Sequence, residues 1–148
     1  PTYYAIFKHL KKRKKYESSK IRGIDVDAAI GRMNAIMREN EFFKEEEITL
    51  KRVAGMMNIN PQQLSEILNS SLHTSFNTYV NEYKIAEAKT LMTEHPDYQI
   101  TRIALMAGFN STRTFNRAFM KREGLTPLNY RKRLAGKRRS GPGDDHAL

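Results

Sequence analysis

The sequence predicts an all-α fold in which a unit of two short helices occurs twice and one long helix joins the two copies. Apolar residues recur at helical spacing in several segments, and the chain nearly repeats itself at an offset of about fifty residues. We expect about seven helices in this arrangement, plus an amphipathic helix on its N-terminal side.

Three groups of mostly apolar residues define the repeat. They pair Val53-Ala54 with Ile103-Ala104, Met57-Asn58-Ile59 with Ala107-Gly108-Phe109, and Leu64, Ile67 and Leu68 with Phe115, Ala118 and Phe119. In each copy a threonine, Thr49 or Thr101, is expected to cap the first helix. Asn58 and Gly108 are expected to turn the chain sharply, because both residue types tolerate a left-handed backbone. Each copy is therefore predicted to be a helix-turn-helix unit.

The second helix of each copy begins at a good capping residue. Asn60 precedes Pro61 and has Gln63 at the capping-box position, and Ser111 is the cap in the later copy. The aromatic and aliphatic residues of the second copy are expected to form its core and not to stack on bases; these are Phe109, Phe115, Phe119, Leu125 and Tyr130.

One helix is predicted to join the copies, from Ser75 to about Glu94, and to be closed by His95-Pro96. Twenty residues of helix are roughly 30 Å long, and one turn of B-DNA is about 34 Å. A rigid helix of this length could hold the two second helices so that they enter successive major grooves on one face of a duplex.

An amphipathic helix is predicted ahead of the repeat, from Val26 to about Asn40. Asp25 is a good N-cap, and apolar residues follow it at one-face spacing; they are Val26, Ala29, Ile30, Met33, Ile36 and Met37. Two uses of this apolar stripe stay open. It either packs on the rest of the domain or contacts a partner, for example as a homodimer through residues 26–40.

These elements divide the chain into four parts. They are a basic arm at 1–23, the amphipathic helix with a connector at 24–47, the repeated domain at 48–134 and a tail at 135–148. Within the repeated domain, the first unit covers 48–72, the joining helix 75–94 and the second unit 100–134. The tail is expected to be disordered, because it lacks apolar periodicity and ends in Gly, Pro and Asp.

The charge of the chain points to a polyanionic partner. Its 148 residues include 26 Lys and Arg against 16 Asp and Glu, a net charge of +10, which attracts nucleic acid or an anionic membrane surface. Basic residues concentrate at 8–20, 102–133 and 137–139, whereas 25–47 holds seven acidic and three basic side chains. That acidic stretch should face away from phosphates.

Several classes of site are excluded by composition and spacing. The chain has no cysteine, so it has no disulfides, thiolate metal sites or cysteine nucleophile, and it suits a reducing cytoplasm. No apolar run approaches the length of a membrane span. The histidines His9, His73, His95 and His146 form no metal or triad pattern. We therefore predict no catalytic residue, no metal and no cofactor, and do not expect an enzyme.

The second copy carries a specific motif. Gly108-Phe109, the run Phe115-Asn116-Arg117-Ala118-Phe119 and the closing run from Gly124 to Arg131 together closely resemble the C-terminal signature of the AraC/XylS family of bacterial transcription regulators. The first copy, ITLKRVAGMMNINPQQLSEILN, is similar to the first helix-turn-helix of that family, and the resemblance covers Ile48 to Leu134. It implies sequence-specific binding to double-stranded DNA and RNA polymerase as a further partner.

A weaker resemblance extends upstream. Gly23 to Glu47, with the basic residues before it, is similar to the juxtamembrane part of family members that carry a membrane-embedded sensor. It implies that 8–20 lies on an anionic membrane surface at the cytoplasmic face, and that a longer protein is anchored in the inner membrane. The alternative is a basic arm that contacts DNA phosphates.

Base contacts are expected from exposed residues at the start of each second helix. They are Gln62, Gln63, Ser65 and Glu66 in the first copy and Thr112, Arg113, Asn116 and Arg117 in the second. Arginine matches guanine, and asparagine or glutamine matches adenine. Two roles stay open: Glu66 either accepts from cytosine or is neutral, and Arg117 either reads a base or contacts the backbone.

Phosphate contacts are expected from helix N-termini and basic flanks. The candidates are Thr49, Lys51, Asn60, Lys84, Thr101, Arg102, Ser111, Lys121 and Arg131. Residues 48–99 hold four basic and five acidic side chains, whereas 102–134 hold eight and one, so most phosphate attraction should come from the second copy. The rival function is a membrane-proximal interaction adaptor that uses the helix-turn-helix units only as a scaffold.

Overall fold

The computed structural model describes residues 21 and 23–139. This part of the chain contains seven α-helices and no strand: α1 Val26–Arg38, α2 Leu50–Met56, α3 Pro61–Ser71, α4 Phe76–Glu94, α5 Ile100–Met106, α6 Thr112–Glu123 and α7 Pro127–Arg139. A 3₁₀ segment, Glu39–Lys44, follows α1. The all-α prediction is confirmed. The basic run at 8–20 and the residues after Arg139 lie outside the described residues.

The chain divides into two compact units, which we call the first unit, up to Ala86, and the second unit, from Glu87. The division falls within α4, which is a single uninterrupted helix of 19 residues. The joining helix predicted from Ser75 to Glu94 is therefore confirmed to within one residue.

Helix α1 belongs to the core of the first unit. Asp25 caps it by accepting a hydrogen bond from the Ala28 amide at 3.1 Å. Met33, Ile36 and Met37 are fully buried in one cluster with residues of α2, α3 and α4. Of the two uses predicted for the apolar stripe, these three side chains serve the first, which is packing within the chain.

The end of α1 is set by two residues with a left-handed backbone. The helix stops at Arg38, two residues earlier than predicted, because Asn40 and Glu41 have φ values of 51° and 56° and cannot continue it. The 3₁₀ segment then turns Phe42 and Phe43 into the core.

A half-buried asparagine links α1 to α4. The Asn34 side-chain oxygen accepts hydrogen bonds from the Tyr79 hydroxyl at 2.6 Å and from the Tyr83 hydroxyl at 3.2 Å. Burial raises the pKa of both tyrosines, well above the usual value for Tyr79. The hydroxyls therefore stay protonated and act as donors. The sequence analysis did not anticipate this contact.

The two copies share one turn geometry, as the repeat predicts. In the first, Ile59 N donates to Ala54 O at 3.1 Å, and in the second, Phe109 N donates to Ala104 O at 3.0 Å. The residue before each of these has a positive φ, 56° at Asn58 and 99° at Gly108. Both turn residues thus adopt the left-handed backbone that the sequence predicted.

The predicted helix caps are confirmed in the first copy and in part in the second. Thr49 accepts from Arg52 N at 3.1 Å, whereas Thr101 lies inside α5, so its predicted capping role is wrong. The cap of α5 is Gln99, whose side chain makes no capping hydrogen bond. The reason is register: burial of Ile103 fixes the helix so that Thr101 falls two residues beyond the cap.

The second unit has an aromatic core. The rings of Phe109, Phe115, Phe119 and Tyr130 form a chain of contacts with centroid distances of 5.1, 5.5 and 5.3 Å. The three phenylalanines are buried, as predicted, and Tyr130 is half-buried. A half-buried ion pair at 3.0 Å between Lys89 and Glu123 also links α4 to α6.

Helix α7 runs further than predicted. It continues through residues 135–139, which the sequence analysis assigned to the tail. Packing of Tyr130 on Phe119 anchors its start. Extending an existing helix costs far less free energy than nucleating one, and alanine, lysine and arginine favour helix.

Candidate nucleic-acid interface

Helix α3 presents polar side chains that are already hydrogen bonded within the helix. Leu64, Ile67 and Leu68 bury its opposite side. Of the predicted base-contacting residues, Gln62 is exposed, and Gln63, Ser65 and Glu66 are half-buried. Each of these three side chains accepts a hydrogen bond. Gln63 accepts from Asn60 N at 2.9 Å, Ser65 from Asn69 Nδ2 at 3.3 Å, and Glu66 from Ser70 Oγ at 2.8 Å.

Helix α6 presents a face with open hydrogen-bonding groups. Phe115 and Phe119 hold it in the core, which turns Arg113, Asn116 and Arg117 to solvent; Thr112 is half-buried. The spacing of three and four residues brings the exposed three together on one side of the helix. None of their three side chains has a hydrogen bond or ion pair to any other described residue.

Three of the predicted phosphate contacts are helix caps. Asn60 accepts from Gln63 N at 2.8 Å and Ser111 from Thr114 N at 3.1 Å, as Thr49 does from Arg52 N. All three caps are exposed. Their local bonds fix the first turn of each helix and leave other amides of that turn facing outwards.

The remaining phosphate candidates differ in accessibility. Lys51, Thr101, Arg102 and Lys121 are exposed. Lys84 is half-buried, and desolvation lowers the pKa of its ammonium group. Arg131 is half-buried as well, and its Nε and Nη2 atoms are buried without a hydrogen-bond acceptor among the described residues.

One arginine occupies the same position in both copies, with different surroundings. Arg52 lies 4.8 Å from the Phe42 ring centroid and forms an ion pair with Glu45 at 2.7 Å. Arg102 lies 3.8 Å from the Tyr98 ring centroid. Sequence reasoning missed Tyr98, although an aromatic residue four positions before an arginine at a helix start is a detectable signal.

The part of the chain that the structure describes holds no group of three or more His, Asp or Glu side chains placed to bind a metal ion. Likewise, none of the described helices combines the length and the hydropathy needed to cross a bilayer.

Comparison with known proteins identifies the domain. A family model described as a helix-turn-helix domain matches residues 53–133, more than half of the chain. Its bounds enclose both turns and both second helices. The chain belongs to the AraC/XylS family of transcription regulators. The motif in the second copy had indicated the same family.

Two other regulatory proteins of known sequence are similar to part of this chain. An HTH-type transcriptional regulator of Bacillus subtilis, YtdP, is 36% identical over 88 residues, which are 60% of this chain and 11% of that protein. The melibiose operon regulatory protein of Escherichia coli is 28% identical over 99 residues, 67% of this chain and 32% of that protein. The chain thus spans a third or less of the length of these relatives.

Solved structures share the fold. The C-terminal domain of AraT, a response regulator from Geobacillus stearothermophilus, is 25% identical with a TM-score of 0.61 over 75% of this chain and 87% of that domain. A DNA-binding transcriptional dual regulator from Escherichia coli, at 24% identity, also has a TM-score of 0.61, over 83% of this chain and 99% of that one.

Proposed function

We propose that this chain is a sequence-specific, double-stranded DNA-binding domain that inserts α3 and α6 into successive major grooves. The observation that carries the proposal is the exposed face of α6, where Arg113, Asn116 and Arg117 have no partner among the described residues. Polar groups of this kind, held on a rigid helix, are free to exchange water for base edges.

The chemistry of this face suits base reading. A guanidinium donates two parallel hydrogen bonds to O6 and N7 of guanine, and an asparagine amide pairs with N6 and N7 of adenine. Arg113, in the first turn of α6, and Asn116, one turn later, have side chains of these two types. We assign base reading to these two residues, with Thr112 and Arg117 beside them.

Helix α3 is assigned a smaller share of base reading. Gln62 is its exposed amide, and Gln63 keeps only its amide nitrogen free once its oxygen has bonded Asn60 N. Ser65 and Glu66 would have to release their bonds to Asn69 and Ser70 before contacting DNA. The cost of that exchange predicts weaker discrimination by the first copy.

The joining helix supports two-groove binding. The 19 residues of α4 correspond to roughly 28 Å of helix, close to the length of about 34 Å of one turn of B-DNA. Phosphate contacts are assigned to the exposed Lys51, Arg102 and Lys121 and to the caps Thr49, Asn60 and Ser111. Lys84 and Arg131 are secondary candidates because they are half-buried, and Thr101 is one because it lies inside α5 and does not cap it.

The test is selection of bound fragments from sheared genomic DNA, followed by footprinting of the selected sites. We expect one preferred sequence, with two protected major-groove segments about one helical turn apart. Titration at two salt concentrations should show affinity falling steeply with salt. Little affinity and no preferred fragment would overturn the proposal and favour an interaction adaptor.

A further inference from the structure

Three side chains stack in a column formed by the loop between α4 and α5 and the first turn of α5. The His95 and Tyr98 rings are parallel to within 5°, with centroids 4.3 Å apart. The guanidinium carbon of Arg102 lies 3.8 Å from the same Tyr98 centroid. One face of a phenol ring has no room for both groups at these distances, so the imidazole and the guanidinium cover opposite faces of Tyr98.

This stacking leaves the donors of Arg102 available. A guanidinium has five N–H groups, all directed outwards in its own plane. Contact through the flat face with an aromatic ring therefore uses none of them. Arg102 is exposed, and it has no hydrogen bond or ion pair with any other residue that the structure describes. Its charge is fixed in place without being neutralised.

The equivalent arginine of the first unit shows the contrast. Arg52 also lies over an aromatic ring, that of Phe42, but its guanidinium is bonded to the Glu45 carboxylate at 2.7 Å. An anion approaching Arg52 would have to compete with this carboxylate. An anion approaching Arg102 would not.

We propose that Tyr98 is a positioning residue for DNA binding: it holds the Arg102 guanidinium ready to bind a backbone phosphate, and His95 supports the ring from behind. This inference rests on the proposed function. A free arginine side chain loses much rotamer freedom when it binds. Stacking on Tyr98 removes part of that freedom before DNA arrives, so less is lost on binding.

The test is a double-mutant cycle on DNA affinity with the full chain, using Tyr98→Leu, Arg102→Gln and the double variant. Tyr98→Leu should weaken binding to preferred and random DNA equally, by about two- to five-fold, the range that exposed cation–π contacts correspond to. Arg102→Gln should lower the slope of affinity against salt by about one phosphate contact. In the Arg102→Gln background, Tyr98→Leu should have no further effect.

Controls separate positioning from stability. Tyr98→Phe keeps the ring face and should bind like the unchanged chain, and Arg52→Gln, which removes an already paired charge, should change the salt slope less than Arg102→Gln. Thermal unfolding shows whether each variant is folded at the assay temperature. An equal loss from Tyr98→Leu with and without Arg102 would overturn the inference, because a merely structural residue behaves in that way.

The cycle also distinguishes this inference from the proposed function. If the unchanged chain selects no DNA sequence, the proposed function fails. If it does select one, and Arg102→Gln leaves both affinity and salt slope unchanged, only the role of Tyr98 and Arg102 is overturned.

Discussion

The two helix-turn-helix copies have the same backbone turn but differ in the state of their polar side chains. Turn hydrogen bonds at equivalent positions agree to within about 0.2 Å. In the first copy, Gln63, Ser65 and Glu66 of α3 and the Arg52 guanidinium are bonded to neighbours. In the second, Arg113, Asn116 and Arg102 have no such bonds among the described residues. A duplicated fold can thus keep its geometry while its binding groups diverge.

The copies also differ in what supports them. The first is packed against α1, whose buried methionines and Asn34 contact α4 or lie in the same core. The second is held by its own aromatic chain and by the Lys89–Glu123 ion pair. We infer that the first copy mainly provides structural support and that the second copy makes more of the contacts that recognise the DNA sequence.

The largest expected effect tests the role of α1. Met37→Ala should destabilise the first unit by about 2–5 kcal/mol, because it leaves a cavity in a fully buried position. Urea unfolding followed by circular dichroism measures the change. Arg32→Ala, on the exposed side of the same helix, is the control and should cost less than about 0.5 kcal/mol. A negligible effect of Met37→Ala would show that α1 is only a connector.

The Asn34 contact predicts the next largest effect. Asn34→Ala removes the acceptor that both buried hydroxyls share and should cost about 1–3 kcal/mol. Adding Tyr79→Phe to this variant should recover part of the loss, because it removes one of the two buried donors that Asn34 had accepted from. A double variant as unstable as the two single losses added together would contradict the proposed network.

The same contact predicts a pH dependence. The pKa of Tyr79 and Tyr83 is raised in the folded chain, whereas tyrosines of the unfolded chain ionise near pH 10. Below about pH 10 both tyrosines are protonated in the folded and the unfolded chain, so they should not make the folding stability vary with pH. Above about pH 10 the folding stability should fall as the pH rises. Urea midpoints between neutral pH and alkaline pH measure this fall, which should be smaller in Tyr79→Phe.

The difference between the reading faces predicts unequal losses on DNA. Arg113→Ala should cost about 1–3 kcal/mol on the preferred site and relax the preference at one base pair. Gln62→Ala should cost less, and Lys121→Ala should weaken all sequences alike and lower the salt slope by about one. Competition titrations with single-base variants of the site measure each. Equal losses on preferred and random DNA for Arg113→Ala would refute its role in base reading.

The smallest effect concerns a backbone difference between the copies. Gly55 lies in α2 where the second copy has Leu105, and a methyl group added there would meet no atom within 4 Å. Gly55→Ala should stabilise the first unit by up to about 1 kcal/mol, because it lowers the entropy of the unfolded chain. Thermal unfolding checks this, with DNA affinity expected to stay unchanged.

Local rules anticipated much of the fold. Capping by Asp25, Thr49, Asn60 and Ser111 and the left-handed turns at Asn58 and Gly108 follow from interactions within a few residues, so the pattern of residue types was sufficient. The role of Thr101 was misjudged because two cap registers were locally possible, and burial of Ile103 selected the other. The length of α7 depended on how its first turn packs.

By itself, the sequence determined the helices, the duplication, the basic character of the second copy and the family, since each depends on residue types at short spacing. Only the tertiary structure decided which polar groups are already bonded and which are open. Asn34 forms hydrogen bonds with Tyr79 and Tyr83, which lie 45 and 49 residues further along the sequence. Arg52 forms an ion pair with Glu45, the residue that follows the kinked 3₁₀ segment. Such pairings depend on how elements pack in space, which local periodicity does not encode.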